Sequence, residues 1–201
     1  MDLFNQNPET HNILPRNGTA IYHGFIFSIE ESDRLYKLLL HDSAWRNDEM
    51  VMYGKHIVTD RKVAWYGDDL EGFTFSNVIK NALPFTNELR KIKEKVEEVT
   101  GESYNACLLN LYHNGSESIS WHNDNEACFK KKGAIASVSL GAIRKFAFKH
   151  IRSKEVVSII LQQGSLLVMK DETQDHWVHS LPPTKKVTEA RINLTFRTII
   201  K

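Results

Sequence analysis

The chain contains 201 residues, of which 41% are hydrophobic and 25% are charged. This length supplies one sizeable hydrophobic core, and nothing in the composition argues for two. No apolar run approaches the roughly 18 residues of a membrane span, and the first twenty residues lack the apolar segment of a secretory signal. Cys107 and Cys128 do not make a disulfide framework. We therefore expect an intracellular protein, cytoplasmic in a prokaryote or nuclear in a eukaryote, with no membrane partner.

The overall charge is nearly balanced, with 26 lysine and arginine residues against 25 aspartate and glutamate residues. The field of the whole protein therefore does not indicate a polyanionic partner. Basic residues nevertheless cluster at 130–132, 144–145, 149–154 and 185–186. These clusters permit a face that binds nucleic acid, and solvated loops and strand ends are the alternative explanation.

The first 42 residues predict an arm, a strand and a helix. Residues 1–18 are mostly polar and include two prolines, which is typical of an irregular arm. Residues 19–27 alternate as a strand does. Ser28 and Glu31 have the spacing of a capping box, so we expect a helix to begin there and to run to about Asp42.

The middle of the chain predicts a second helix preceded by β-hairpins. Proline is accepted at a first helical position and glycine often follows the last, so this helix is expected to run from about Pro84 to Gly101. Residues 45–76 contain strand-like segments and six aromatic side chains, Trp45, Tyr53, Trp65, Tyr66, Phe73 and Phe75.

The C-terminal half predicts short strands with little helix. The eight expected strands are 104–112, 119–122, 135–140, 145–151, 156–161, 165–170, 177–181 and 191–199. Eight short strands with intervening turns are typical of a jelly-roll. The fold class is therefore α+β and mainly β: residues 19–201 form one domain, in which 19–101 supply helical support and a hairpin region and 102–201 supply the jelly-roll core.

A His-x-Asp motif is the first indication of a metal site. Side chains at i and i+2 lie on the same face of an extended segment, so His122 and Asp124 can bind one ion. A third ligand can come from a distant strand, and His179 and His176 are both candidates by spacing. A packed role beside Trp177 is the usual fate of such a histidine, so we assign His176 the structural role. Two imidazoles and one carboxylate are typical of a mononuclear ferrous centre with open positions.

The last predicted strand has one polar and one apolar face. Its polar face contains Arg191, Asn193, Thr195 and Arg197. This pattern is also that of an ordinary solvent-facing strand, but two arginines with hydrogen-bonding groups between them form a donor-rich wall. Their side chains can converge from opposite ends on a dicarboxylate such as 2-oxoglutarate.

Asn110 and Tyr112 share a face of another predicted strand, which is followed by a turn at Asn114-Gly115. A two-residue turn between this strand and the His122 strand would place His122 on the opposite face from Asn110. A five-residue loop would pair Asn110 with His122 and place both on one face. A shift of one residue in the strand register moves every side chain to the opposite face of the sheet. We therefore predict a hairpin with an odd-length or bulged connection.

Taken together, residues 13–200 resemble the AlkB family of Fe(II)- and 2-oxoglutarate-dependent demethylases of alkylated nucleic acids. The matching motifs occur in family order at 110–112, 122–126, 135–141, 164–169, 179–182 and 191–197. The resemblance implies that Fe(II) is bound by His122, Asp124 and His179. It also implies that 2-oxoglutarate is bound by Asn110, Tyr112, Arg191, Asn193 and Arg197, with Arg191 at its distal carboxylate.

The hairpin region resembles the substrate lid of the animal family members that repair double-stranded DNA. By this resemblance Tyr53 wedges into the duplex, Phe75 stacks on the extruded base, and Arg61, Phe73 and Glu126 also contribute to substrate binding. Packing between lid and core is the alternative role for the aromatic residues. This chain has Asn125 before Glu126, where that branch often has two successive acids, which leaves one carboxylate for the lesion.

The resemblance implies oxidative demethylation of N-alkylated bases such as 1-methyladenine and 3-methylcytosine in DNA. The reaction would consume 2-oxoglutarate and dioxygen and release succinate and formaldehyde, and we expect a monomer. The alternatives are an RNA demethylase, a protein hydroxylase on the same scaffold, and a binding module without turnover.

Overall fold

The computed structural model describes residues 11–52, 55–68, 72–75 and 78–200. The helices are α1 (Ile29–Asp42), α2 (Asn87–Thr100) and α3 (Thr173–His176). The strands are β1 (Thr19–Phe25), β2 (Arg46–Met52), β3 (Lys55–Gly67), β4 (Phe73–Phe75), β5 (Val78–Lys80), β6 (Leu83–Pro84), β7 (Ala106–Tyr112), β8 (Ile119–His122), β9 (Ile135–Gly141), β10 (Arg144–His150), β11 (Val156–Leu161), β12 (Ser165–Lys170), β13 (Trp177–Leu181) and β14 (Arg191–Arg197).

The strands form two facing sheets and a separate β4–β5 hairpin. The large sheet has the order β1-β12-β9-β14-β7-β3-β2, with β6 beside β3, and the small sheet has the order β11-β10-β13-β8. From β7 onward the chain crosses repeatedly from one sheet to the other. This winding is the predicted jelly-roll, and all eight strands expected after residue 101 are confirmed with ends that differ by at most two residues.

The two faces of the large sheet bury different kinds of side chain. On one face, helices α1 and α2 pack against the apolar residues of β7 and β14, including Leu109, Ile192 and Phe196. The other face turns toward the small sheet and carries the polar residues of the same strands. Every residue of β14 is buried, so its polar face is part of the interior and does not face solvent.

The caps of the two long helices explain where they begin. The Ser28 side chain accepts a hydrogen bond from the Glu31 amide, as predicted. The predicted start of the second helix at Pro84 is wrong: α2 begins at Asn87, after Thr86, whose hydroxyl accepts from the Leu89 amide. Pro84 instead lies in β6, because a threonine with extended backbone caps the helix two residues later.

The predicted hairpin between the Asn110 and His122 strands is also wrong. Strand β7 pairs with β3 and β14 in the large sheet, whereas β8 pairs with β13 in the small sheet. Sequence spacing can define the register of a hairpin but cannot show that a connection crosses between sheets. Asn110 and His122 therefore reach the same cavity from facing sheets and not as a cross-strand pair.

Arg144 holds this crossing connection in place from the interior. Its side chain is 2% exposed and donates to the carbonyl oxygens of Asn114, Gly115, Glu117 and Pro182 at 2.9–3.3 Å. The sequence placed Arg144 in a surface cluster with Lys145, but only Lys145 is exposed.

The described part of the N-terminal arm, residues 11–18, is irregular but attached to the core. Leu14 is 3% exposed, and the Trp177 indole donates to the Arg16 carbonyl at 3.0 Å. Within the described residues, no helix is both long enough and apolar enough to cross a bilayer.

We expect Arg144→Leu to lower the free energy of unfolding by about 2–4 kcal/mol, because four buried or partly buried carbonyls lose their charged donor. Urea denaturation of the metal-free protein measures this change. Lys145→Leu on the same strand is the matched control and should change stability by less than about 0.5 kcal/mol. Equal effects of the two substitutions would contradict the role given to Arg144.

Candidate active site

A cavity of about 460 Å³ lies between the two sheets and opens beside β8. This volume is in the range of small-molecule sites. The predicted site residues that line it are Arg61, Asn110, Tyr112, His122, Asp124, His179, Arg191, Asn193 and Arg197. The structure thus brings together the predicted metal and 2-oxoglutarate residues from β7, β8, β13, β14 and the segment after β8.

His122, Asp124 and His179 form a compact group of possible metal ligands. The donor atoms of the three side chains lie within 4.8 Å of one another. His122 and His179 are directly opposite in the β8–β13 pair, and their Nε2 atoms lie 3.9 and 4.0 Å from the Asp124 carboxylate oxygens. The pairing of two strands therefore brings the distant histidine next to the His-x-Asp motif.

The ionisation states of these residues fit metal binding. The His122 Nδ1 donates to the Ser120 carbonyl at 2.8 Å, which leaves Nε2 free to act as a ligand. Burial, together with His122, lowers the pKa of His179 to about 3, so that this imidazole is neutral. Burial alone would raise the pKa of Asp124, but Arg197 and the two histidines hold it well below its ordinary value. A neutral imidazole at His179 and an ionised carboxylate at Asp124 are the forms in which these side chains bind a divalent ion.

Arg197 joins the metal ligands to the rest of the cavity. One of its terminal nitrogens donates to Asp124 Oδ2 at 2.7 Å, and both side chains are about 95% buried. Its Nε and Nη1 have no hydrogen-bond partner among the described residues. Buried donors without acceptors are costly, so an anion bound beside the metal site would satisfy them.

The far end of the cavity offers a second anion site. The guanidinium groups of Arg61, Arg144 and Arg191 lie 5.5–5.9 Å from the ring centroid of Tyr112. Arg144 is bound by carbonyls and Arg61 is paired with Asp48, whereas the Arg191 side chain donates to the Ser139 hydroxyl and to no other residue that the structure describes. Burial lowers the pKa of Arg191 to about 10, and its Nε has no partner among the described residues. Arg191 is thus the guanidinium best placed to bind a carboxylate.

Several residues of this cavity were not found from the sequence. Ser137 and Ser139 accept hydrogen bonds from Asn193 and Arg191 at 2.8 and 2.9 Å, and their alternation in β9 was a signal that could have identified them. No sequence pattern indicated a role for Asp48, because its partner Arg61 lies on a different strand and only the pairing of β2 with β3 brings the two side chains together. Trp121 also lines the cavity.

The predicted substrate residues are not all placed at this cavity. Phe73 packs edge-to-face on Trp65, with centroids 4.9 Å apart, as the packing alternative requires. Glu126 lines a neighbouring cavity of about 260 Å³, which shares Asp124 and Arg197 with the main one. Tyr53 lies outside the described residues, as does the Phe75 side chain.

His176 does not belong to the metal group. It lies in α3, where its ring is parallel to that of His150 with centroids 6.2 Å apart.

We expect His179→Ala to weaken binding of Co(II) by more than about a hundredfold. Removal of a direct ligand lowers metal affinity more than removal of a residue that only supports a ligand.

The measurement is isothermal titration with Co(II), supported by the visible absorption of the bound ion. His176→Ala, three residues away, is the matched control and should bind Co(II) as the wild type does. The reverse order of effects would make His176 the third ligand.

Comparison with known proteins identifies the family. The sequence model of the 2OG-Fe(II) oxygenase superfamily matches residues 18–197. DNA oxidative demethylase ALKBH2 of Mus musculus is 35% identical over 198 residues, which cover 93% of this chain and 83% of that protein. The Homo sapiens alpha-ketoglutarate-dependent dioxygenase alkB homolog 3 is 33% identical over 190 residues, covering 90% and 65%.

A solved structure of OsALKBH1 has the same fold, with a TM-score of 0.64 at 16% identity, covering 92% of this chain and 99% of that one. The sequence matches extend over nearly the whole chain and include the strands that line the cavity. The chain therefore belongs to the AlkB family of the 2OG-Fe(II) oxygenase superfamily.

Proposed function

We propose that this chain demethylates N-alkylated DNA bases, such as 1-methyladenine and 3-methylcytosine, by an oxidation that consumes 2-oxoglutarate and dioxygen. The observation that supports this most directly is that one cavity combines a His-Asp-His group with two buried arginines, each of which has at least one side-chain donor without a partner among the described residues. Relatives named DNA oxidative demethylase, at 35–37% identity, support DNA as the substrate.

In this proposal His122, Asp124 and His179 hold Fe(II). When bound, the iron supplies the oxidation that hydroxylates the N-methyl carbon, with succinate, carbon dioxide and then formaldehyde as products. Three protein ligands leave positions open for the cosubstrate and for dioxygen. The buried walls exclude water, and the protein orients the reactants by charge and hydrogen bonding.

Arg197 and Arg191 divide the recognition of 2-oxoglutarate between them. Arg197 lies against Asp124 and would bind the end of the cosubstrate nearest the metal. Arg191 would bind the distal carboxylate, with Asn110, Tyr112 and Asn193 lining the space between. The two arginines are the first and last residues of β14, so their side chains reach the cavity from its opposite ends.

The substrate base must leave its helix to reach this buried site. An alkyl group on a Watson–Crick nitrogen weakens pairing and so lowers the free energy needed for extrusion. The lid formed by β2, β3 and the β4–β5 hairpin would bind the extruded nucleotide through Tyr53, Arg61 and Phe75, with Phe73 supporting the lid by its packing on Trp65. Glu126, from the segment after β8, would contribute from the neighbouring cavity. A DNA substrate implies an intracellular protein, nuclear in a eukaryote, and we propose that it acts as a monomer.

RNA demethylation is the second candidate, because several relatives are named only as dioxygenases.

We expect Tyr53→Ala to reduce kcat/KM at least about tenfold on duplex DNA containing 1-methyladenine and to have little effect on the same single strand. A wedge is needed only where a helix must be opened. Mass spectrometry of the product base provides the measurement, and an equal effect on both substrates would count against duplex repair.

We expect Arg191→Met to raise the KM for 2-oxoglutarate by about ten- to a hundredfold, since a charged hydrogen bond is lost. Release of formaldehyde from a methylated oligonucleotide provides the assay, and binding of Co(II) should be unchanged. Arg16→Met, at an exposed arginine paired with Glu155, is the control. No formaldehyde from the wild type on any methylated strand would refute the proposed function.

A further inference from the structure

Trp121 is a large aromatic side chain that the fold leaves exposed beside the active site. It is 41% exposed, immediately precedes His122 and lines the rim of the main cavity. It lies on β8, which is the edge strand of the small sheet. None of the roles proposed above for metal, cosubstrate or lid requires an indole at this position.

The outer face of the small sheet is defined by the side chains that alternate with those facing the cavity. His122 and His179 are opposite each other and face inward, and Lys149 pairs with Val178 next to them. Trp121, Val178 and Lys149 therefore share the outer face, and the Lys149 Nζ lies 4.3 Å from the indole centroid.

This outer face is basic and apolar. Its members on the four strands are Trp121, Lys145, Ala147, Lys149, Val156, Ser158, Ile160, Val178 and Ser180. They include two lysines and no carboxylate. The acid next to them, Glu155, is paired with Arg16 at 3.3 Å. An anion can therefore approach the indole without repulsion from this face.

An exposed indole beside a lysine matches the chemistry of a nucleotide. Any base can stack on an aromatic ring, and the ammonium group can neutralise a phosphate. Extrusion of one nucleotide into the cavity also leaves the adjacent base without one of its stacking partners. An aromatic ring at the rim can replace that partner.

We propose that Trp121 and Lys149 form a stacking platform for the nucleobase adjacent to the alkylated one, with Lys149 neutralising a nearby phosphate. This inference rests on the proposed function and extends it from the lesion to the neighbouring nucleotide. It makes the substrate an oligonucleotide whose flanking base contributes to binding, and not only a methylated nucleotide.

The test compares the wild type with Trp121→Leu, Trp121→Phe and Lys149→Met. The probes are a fluorescent pentanucleotide with a central 1-methyladenine and the same strand with abasic residues on both sides of the lesion. Dissociation constants are measured by anisotropy with Mn(II) in place of iron, so that turnover does not contribute. Phe25→Leu, an aromatic residue on β1 that is 62% exposed, is the matched control.

We expect Trp121→Leu to weaken binding of the intact pentanucleotide by roughly 5- to 100-fold, and Trp121→Phe to retain much of the affinity. Lys149→Met should weaken binding and reduce its dependence on salt. On the abasic strand the wild type should lose a similar factor, and Trp121→Leu should bind as the wild type does. Phe25→Leu should bind both strands with wild-type affinity.

Two results would overturn the platform. If Trp121→Leu weakens binding of both strands equally, the indole supports His122 and does not contact a base. If it changes neither dissociation constant, the indole only packs against Lys149. Failure of the proposed function is a separate result: the wild type with iron would release no formaldehyde, whether or not binding depends on Trp121 and the flanking bases.

Discussion

The alternation of side chains along β14 is the constraint on which both the core and the site depend. This strand lies in the middle of the large sheet, between β9 and β7. Its even-numbered residues are apolar and pack under the helices, and its odd-numbered residues enter the cavity. Because successive side chains point to opposite faces, burial of Ile192, Leu194 and Phe196 forces the arginines inward. The free energy of core packing thus holds the charged groups in position.

Buried charge in this protein is arranged so that some of it is balanced and some is not. Arg197 is balanced by Asp124, and Arg61 by Asp48. Arg144 is solvated by carbonyl groups, whereas in the described part of the chain the Arg191 side chain has the Ser139 hydroxyl as its single hydrogen-bond partner. Leaving a guanidinium poorly solvated is unfavourable for the empty protein. The same deficit favours a bound dicarboxylate, and this links affinity for the cosubstrate to stability of the fold.

The sequence predicted most of the fold because the signals involved were local and periodic. Strand β14, the Ser28 cap and the eight C-terminal strands all depend on spacing within a few residues. Long-range features were harder: the chain between β7 and β8 resembles a hairpin locally, and nothing in its spacing shows that it crosses between sheets. Pro84 was expected to be the first residue of the second helix, but Thr86 caps α2, which begins at Asn87. Arg144 resembled a surface residue because its four carbonyl partners come from the β7–β8 connection and from Pro182, which lie 27–38 positions away in sequence.

The candidate site was predictable to the extent that its residues share strands. His122 and Asp124 are two apart, and the polar residues of β14 follow one parity, so pattern alone grouped them. Spacing left both His176 and His179 open, and the sequence assigned His176 a structural role only because it lies beside Trp177; the β8–β13 register places His179 directly opposite His122. Asp48 could not be assigned, because its role depends on the pairing of lid and core.

The pairing of β1 with β12 has a consequence for how the protein is made. Thr19 lies opposite Lys170, a separation of 170 − 19 = 151 positions, and β3 pairs with β7 across a long insertion. Contacts so distant in sequence slow folding, because the entropy cost of closing a long loop comes before the strands gain free energy by pairing. During synthesis, β1 leaves the ribosome long before its partner exists, so this strand is exposed to chaperones or to misassociation until nearly the whole chain has emerged.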